Sequence, residues 1–304
     1  MYFLKRILFF IPLLLVISFL AFAMVRFVPG GPFDSDRRAA SPEIERNLAA
    51  KYHLDEPVLK QYGRFLVNAL HGDLGPSLKY RNHSVAEIIA QGLPVSLTLG
   101  TVSFLFALGV GIPLGVFSAV NRGGWGDYVG SFVAILVICI PGLVIGPILI
   151  MWFAIKLRLF PVALWGSPMH LILPMLTLGL YFSGRIARLM REGMSTTLHS
   201  EFITTARAKG LSETGVLIKH AFRIAVLPVL SYSGPLLADL LTGSFVVENL
   251  FQLPGIGVFM VNSSLNSDYT MVVGLVLIYA VLLLVLNLVV DFAYGLLDPR
   301  VRYE

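Results

Sequence analysis

A chain of 304 residues with 56% apolar and only 13% charged side chains cannot cover a water-facing surface, because a globular protein carries about 25% charged residues. The same balance excludes disorder, and a single cysteine, Cys139, excludes an internal disulfide framework or a cysteine-built zinc cluster. The net charge of +5 acquires a meaning only from where the basic residues fall.

Lys5 and Arg6 precede a charge-free run from Ile7 to Val25. About 20 apolar residues cross the roughly 30 Å of bilayer hydrocarbon. The run is too long for a signal-peptide core, and Val28-Pro29-Gly30 is no small-residue cleavage site, so it is expected to stay as the first span. The segment from Pro29 to Gly92 is soluble in character, with eight basic and eight acidic residues. Helical stretches are expected from Pro42 to Tyr52 and from Pro57 to Leu70. Ser84-Val85-Ala86-Glu87 has capping-box spacing, which predicts a short helix leading into the second span. Further charge-free runs occupy Ile88 to Asn121, Tyr128 to Ile155, Leu159 to Gly184 and Tyr269 to Val290, and Ile224 to Val247 is interrupted only by Asp239. The expectation is an all-α integral membrane protein with six transmembrane helices. Asn249 to Ser267 also lacks charge but carries Pro254, Gly255, Gly257 and Asn262, which predicts a surface or re-entrant segment. Gly111 with Gly115, and Gly142 with Gly146, have the spacing that lets helices approach closely.

Orientation follows from the basic residues, which favour the cytoplasmic side of short loops. With the N terminus inside, Lys5, Arg6, Arg122 and Arg185, together with eight others reaching to Arg302, are cytoplasmic, twelve in all against Lys156 and Arg158 outside. Both termini are therefore expected in the cytoplasm. The basic balance becomes a topology signal rather than a sign of nucleic-acid binding. The chain divides into residues 1–28 as N-terminal tail and first span, 29–92 as a periplasmic segment, and 93–304 as a core with spans two to six.

Catalytic chemistry is nearly absent. No Gly-Lys-Ser/Thr occurs, so the chain has no P-loop, and no two of its six histidines share metal-binding spacing on one helix. Gly124-Trp125-Gly126-Asp127 matches the G-x-G-D of intramembrane aspartyl proteases, but it falls in a short cytoplasmic turn without a Tyr-Asp partner. A proton- or sodium-driven transporter calls for several intramembrane acids and inverted repeats, and only Asp239 lies well inside a span. Asp239 is read either as a hydrogen-bonded or interface acid, or as a residue lining a translocation path.

The most patterned segment joins spans four and five. From Arg185 to Arg223 it carries seven basic and three acidic residues, with Arg185, Arg188 and Arg191 three apart. Ser200-Glu201-Phe202-Ile203-Thr204-Thr205-Ala206-Arg207-Ala208-Lys209-Gly210-Leu211-Ser212-Glu213 reads as a helix, a glycine stop, a serine N-cap and a second helix. Such a helix beside the membrane suits the transfer of motion from a cytoplasmic partner, and serves equally as an inert surface helix.

From Thr205 to Glu213, then through Lys219-His220-Ala221 and Leu227-Pro228-Val229, the sequence resembles the coupling loop of bacterial ABC-importer permeases of the peptide and nickel subfamily. The resemblance continues in Val247-Glu248, Leu253-Pro254-Gly255-Ile256-Gly257, Asp268-Tyr269, Val290 to Tyr294 and Asp298-Pro299-Arg300. Upstream it includes Val28 to Pro32, Tyr52 to Pro57, Gln61-Tyr62 and His71 to Ser77. Thr204-Thr205-Ala206 stands where the general pattern has Glu-Ala-Ala, and Gly210 lies eighteen residues before Pro228, both departures fitting the peptide subfamily. The run from His71 to Tyr80 is most similar to oligopeptide permeases, with dipeptide, glutathione and nickel permeases as alternatives.

The resemblance implies a multi-pass permease subunit in a bacterial inner membrane, moving oligopeptides from periplasm to cytoplasm beside a homologous second permease. It implies two ATP-binding cassette subunits that hold ATP and Mg²⁺, docked on a coupling loop over residues 191–225, and a periplasmic substrate-binding protein. This chain would then bind no cofactor and be no enzyme. The residues it assigns to coupling are Glu201, Thr204, Thr205, Ala206, Arg207, Lys209, Gly210, Leu211, Ser212 and Glu213.

Overall fold

The computed structural model describes residues 2–27, 56–80 and 82–297. The helix expected over Pro42 to Tyr52, the motif from Val28 to Pro32, most of Tyr52 to Pro57, and Asp298-Pro299-Arg300 lie outside the described residues. Among the described residues the chain is helical without a β-strand, save one isolated bridge between Pro76 and Ser84.

Helix α1 (Tyr2–Phe27) contains the first expected span, and α2 (Val58–Leu70) follows Pro57 as the sequence predicts. The two pack through aromatic rings, with Phe22 5.6 Å from Tyr62 and 5.8 Å from Phe65 between centroids, while the Tyr62 hydroxyl donates to the Leu15 carbonyl. The Arg26 guanidinium donates to buried Gln61. The capping box forms: the Glu87 amide donates to Ser84 Oγ at 3.2 Å, and the Ser84 amide to Glu87 Oε2 at 3.0 Å. It opens α3 (Val85–Val120), where one unbroken helix of 36 residues replaces the expected short helix and separate span. At 1.5 Å per residue α3 is roughly 54 Å long, far more than the hydrocarbon thickness, so the capped stretch and the apolar stretch fuse into one rod.

The third expected span is not straight. Helix α4 (Trp125–Cys139) ends at Ile140, and α5 (Gly142–Leu149), continued by a π-helical stretch over Ile150–Lys156, leaves it at 98°. Pro141 supplies the reason: it forces Ile140 into extended backbone (φ −87°, ψ 116°) and cannot donate an amide to the preceding turn. Each half has about 15 residues, roughly 22 Å, and is too short to cross alone. The fourth span also shifts, because Pro161 and Gly166-Ser167-Pro168 keep the stretch before Met169 out of helix. Helix α6 (Met169–Leu198) then runs fourteen residues past Gly184 and carries Arg185, Arg188 and Arg191 on a continuous helix.

Beyond α6 come α7 (Glu201–Ala208), then α8, which starts at Glu213–Gly215 and passes through a π-helical stretch, Val216–Ala221, into Phe222–Ala225. Helix α9 (Leu227–Leu241) and α10 (Phe245–Leu250) together pass as a span over Leu227–Leu250. Helix α11 (Ile256–Leu265) sits in the segment read as surface or re-entrant, and α12 (Tyr269–Leu297) holds the last span. Among the described residues, five helices are long and apolar enough to cross a membrane, six with the bent α4–α5 pair.

The chain forms two compact units. One comprises residues 1–96 and 255–284, with a core of Leu74, Val85, Ile88, Ile256, Met271 and Leu275. The other comprises residues 97–254 and 285–304, and within it α3 crosses α6 at backbone contact. A methyl group on Gly111 would lie 2.6 Å from the Ser183 carbonyl oxygen, and one on Gly115 2.5 Å from that of Ala187, so only glycine permits the crossing.

Candidate functional site

The segment after α6 folds as its residues predict. Ser200 precedes α7 in extended backbone, and α7 turns Ile203 and Ala206 inward, against the stretch Val216–Ala221. Glu201, Phe202, Thr204, Thr205, Arg207 and Lys209 face outward. Gly210 ends the helix at φ +78°, a left-handed conformation that costs an L side chain about 1 kcal/mol. Its amide donates to the Arg207 carbonyl at 2.9 Å, and that of Leu211 to Ala206 at 3.4 Å. Ser212 caps α8 by accepting from the Gly215 amide at 3.3 Å. Across the turn Arg207 grips Glu213 with two hydrogen bonds of 2.8 and 3.2 Å. This pair is exposed and adds little stability, and it links the end of α7 to the start of α8.

Nine of the ten residues assigned to coupling therefore lie on one exposed turn, with Ala206 alone turned into the core. Space around Gly210 is open, with nothing within 4 Å of where a β-carbon would stand. Phe202 and Leu211, both more than 40% exposed, add an apolar centre to a polar face.

Asp239 is not part of this turn. It lies on α9, exposed, within electrostatic reach of Arg185 on α6. Arg185 donates to the Tyr181 hydroxyl at 2.5 Å, stacks over that ring at 4.9 Å, and hydrogen-bonds Tyr232 on α9. The acid thus lies exposed within electrostatic reach of a cation that itself engages two phenols.

Two constellations escaped the sequence. Asp127, the acid of the G-x-G-D pattern, is buried and held by Arg191 through bonds of 2.6 and 2.8 Å, with Ser131 and the Gly123 amide completing its shell. An aspartate committed in this way is a structural anchor rather than a proteolytic acid. Asp268, fully buried, caps α12 and gathers a distant segment. Its carboxylate accepts from Ser77 Oγ at 2.5 Å, from the amides of Leu78 and Lys79 at 3.1 and 3.3 Å, and from Thr270 Oγ1 and the Met271 amide. The single Thr270 hydroxyl proton is shared with the Pro76 carbonyl, the nearer acceptor at 2.6 Å. Sequence separations of 64 and about 190 residues hide both from any local pattern.

The comparisons with known proteins agree with this architecture. The family model described as binding-protein-dependent transport system inner membrane component matches residues 111–303. The oligopeptide transport system permease protein OppB of Haemophilus influenzae is 42% identical over 98% of each chain. That of Escherichia coli K12 is 41% identical over 99% of this chain and 98% of its own. The dipeptide transport system permease protein DppB of Bacillus subtilis is 41% identical over 95% and 94%. Among solved structures, an inward-facing form of the MetNI methionine ABC transporter superposes with a TM-score of 0.58 at 16% identity, covering 69% of this chain and 96% of the other, which is a likeness of fold. The chain belongs to the binding-protein-dependent transport system inner membrane components.

Proposed function

We propose that this subunit moves oligopeptides from periplasm to cytoplasm as the permease half of an ATP-driven importer in a bacterial inner membrane. Both termini lie in the cytoplasm, and the segment 29–92 faces the periplasm. The twelve-to-two distribution of basic residues supports that orientation. A homologous permease supplies the other wall of the path, a periplasmic binding protein delivers the peptide, and two ATP-binding subunits hold ATP and Mg²⁺. The peptide class rests on relatives named as oligopeptide and dipeptide permeases.

The observation that carries the reading is the turn from Glu201 to Glu213. One face of α7 is buried against α8, the other is open, and α7 follows α6 after only His199 and Ser200. An ATPase docked on the open face pushes on a helix joined to a membrane span by only two residues. Closure of the ATPase pair then biases an equilibrium between inward- and outward-open states, provided that the docked contacts differ between the two. Asp239, exposed beside Arg185, is the acid that we place on the peptide path.

The test is co-purification and reconstitution. The subunit should bring down an ATP-binding cassette protein, and peptide uptake in liposomes should require that protein, ATP and the binding protein together. Uptake by this chain alone would overturn the reading. With exposed Cys139 replaced by serine, Thr214→Cys should label only from the cytoplasmic side and Lys79→Cys only from the periplasmic side.

A further inference from the structure

Within the second unit, α3, α4 and α6 enclose a groove of about 660 Å³, inside the roughly 300–1,000 Å³ range of ligand sites. Three guanidinium groups line it: Arg122 at the end of α3, and Arg188 and Arg191 on α6. Hydroxyl groups of Ser118, Ser131 and Ser195 stand among them. The charges are not equivalent. Arg191 is neutralised by Asp127, and Glu192 adds one acid to the lining. Arg122 donates to Ser195 Oγ at 2.6 Å, a neutral partner that leaves its charge uncompensated. Arg188 is exposed and has no hydrogen bond or ion pair among the described residues. The groove therefore keeps an excess of positive charge on two forked donors, the geometry that suits phosphate oxygens.

What adjoins this charge narrows the ligand. Ile135 lines the groove, and beyond it α4 exposes Val129, Phe132 and Leu136, an apolar strip suited to acyl chains. At the start of the same helix Trp125 and Tyr128 are exposed, side chains that favour the depth of lipid headgroups. A free anion needs the cations but gains nothing from the strip, whereas a phospholipid uses both. We propose that this groove binds the phosphate headgroup of an anionic phospholipid, with Arg122 and Arg188 holding the phosphate and the α4 strip holding an acyl chain. Basic pockets between membrane helices take such headgroups on physical grounds alone. The inference is independent of the transported substrate.

Native mass spectrometry of the full-length subunit in detergent tests it, with phosphatidylglycerol, phosphatidylethanolamine and inorganic phosphate as separate probes. Phosphatidylglycerol should bind, and the double substitution Arg122→Gln with Arg188→Gln should weaken it about tenfold or more, as expected for lost charge-assisted hydrogen bonds. Lys156→Gln, which removes a cation outside the groove, should change nothing, and phosphatidylethanolamine, whose ammonium cancels the charge of its phosphate, should bind more weakly than phosphatidylglycerol. Arg188→Lys, which keeps the charge and loses the fork, should bind phosphatidylglycerol more tightly than Arg188→Gln and less tightly than the parent, which separates lost charge from lost fold. Ile135→Asn should weaken phosphatidylglycerol without changing retention of phosphate. The proposal falls if the double variant binds phosphatidylglycerol like the parent, or if Lys156→Gln weakens it equally. It also falls if phosphate competes the lipid away while Ile135→Asn has no effect, since the ligand would then be a free anion.

Discussion

The Asp268 clamp and the Gly210 turn are both polar, both bring two segments together, and differ in where their polar groups point. At the clamp every oxygen of Asp268 is consumed by the protein's own donors, and the acid is fully buried. At the turn Thr204, Thr205, Lys209 and Ser212 face outward, and the one ion pair, Arg207 with Glu213, is itself exposed. A satisfied network holds its own chain together, whereas an open one leaves groups for another molecule. The same residue types thus serve stability in one region and, on the proposed function, recognition in the other.

The clamp should break first and hardest. Asp268→Ala orphans buried amides and hydroxyls, at a cost of about 3 kcal/mol or more, and should remove most of the folded subunit from the membrane. Measured membrane abundance near that of the parent would mean that the clamp is not what holds the Pro76–Lys79 segment to α12. The turn should break function without breaking the fold. Gly210→Asp meets no neighbour and costs about 1 kcal/mol of backbone strain, so abundance should hold while uptake and ATPase stimulation collapse. Unchanged uptake would remove the turn from the coupling machinery.

Asp239 sharpens the contrast, because it is exposed like the turn but lies inside a span. Asp239→Asn keeps the shape and removes the charge. It should slow uptake of cationic peptides severalfold more than of acidic ones, measured at equal expression. Equal effects on both would make this exposed acid a structural group.

What could be read from the sequence was local. The capping box at Ser84–Glu87, the helix after Pro57 and the helix–glycine–serine–helix order around Gly210 each depend on residues three to ten apart, and each appears as expected. The bend at Ile140–Pro141 was also written locally, but the unbroken apolarity from Tyr128 to Ile155 concealed it, since periodicity and length do not register direction. Leu159 to Pro168 misled similarly: apolar content suggested a span where Pro161 and Pro168 prevent helix. Asp127 with Arg191, and Asp268 with Ser77, are tertiary pairings that no spacing rule reaches. The same holds for Asp239, whose reach to Arg185 depends on how α6 and α9 lie together.

Helix α6 has a mechanical consequence. Its 30 residues make a rod of roughly 45 Å, pinned along its length by the glycine crossing of α3 and by the Arg191–Asp127 bond, and continued at one end by α7. A stiff rod on a fulcrum is a lever. A tilt of about 5° about the crossing at Ala187 swings the Leu198 end, roughly 16 Å away, by about 1.4 Å. Arg185 sits near the middle of that rod, close to the crossing, and α7 at its tip, so under the proposed function a push on the tip would reach Arg185 and Tyr232 with reduced stroke and increased force.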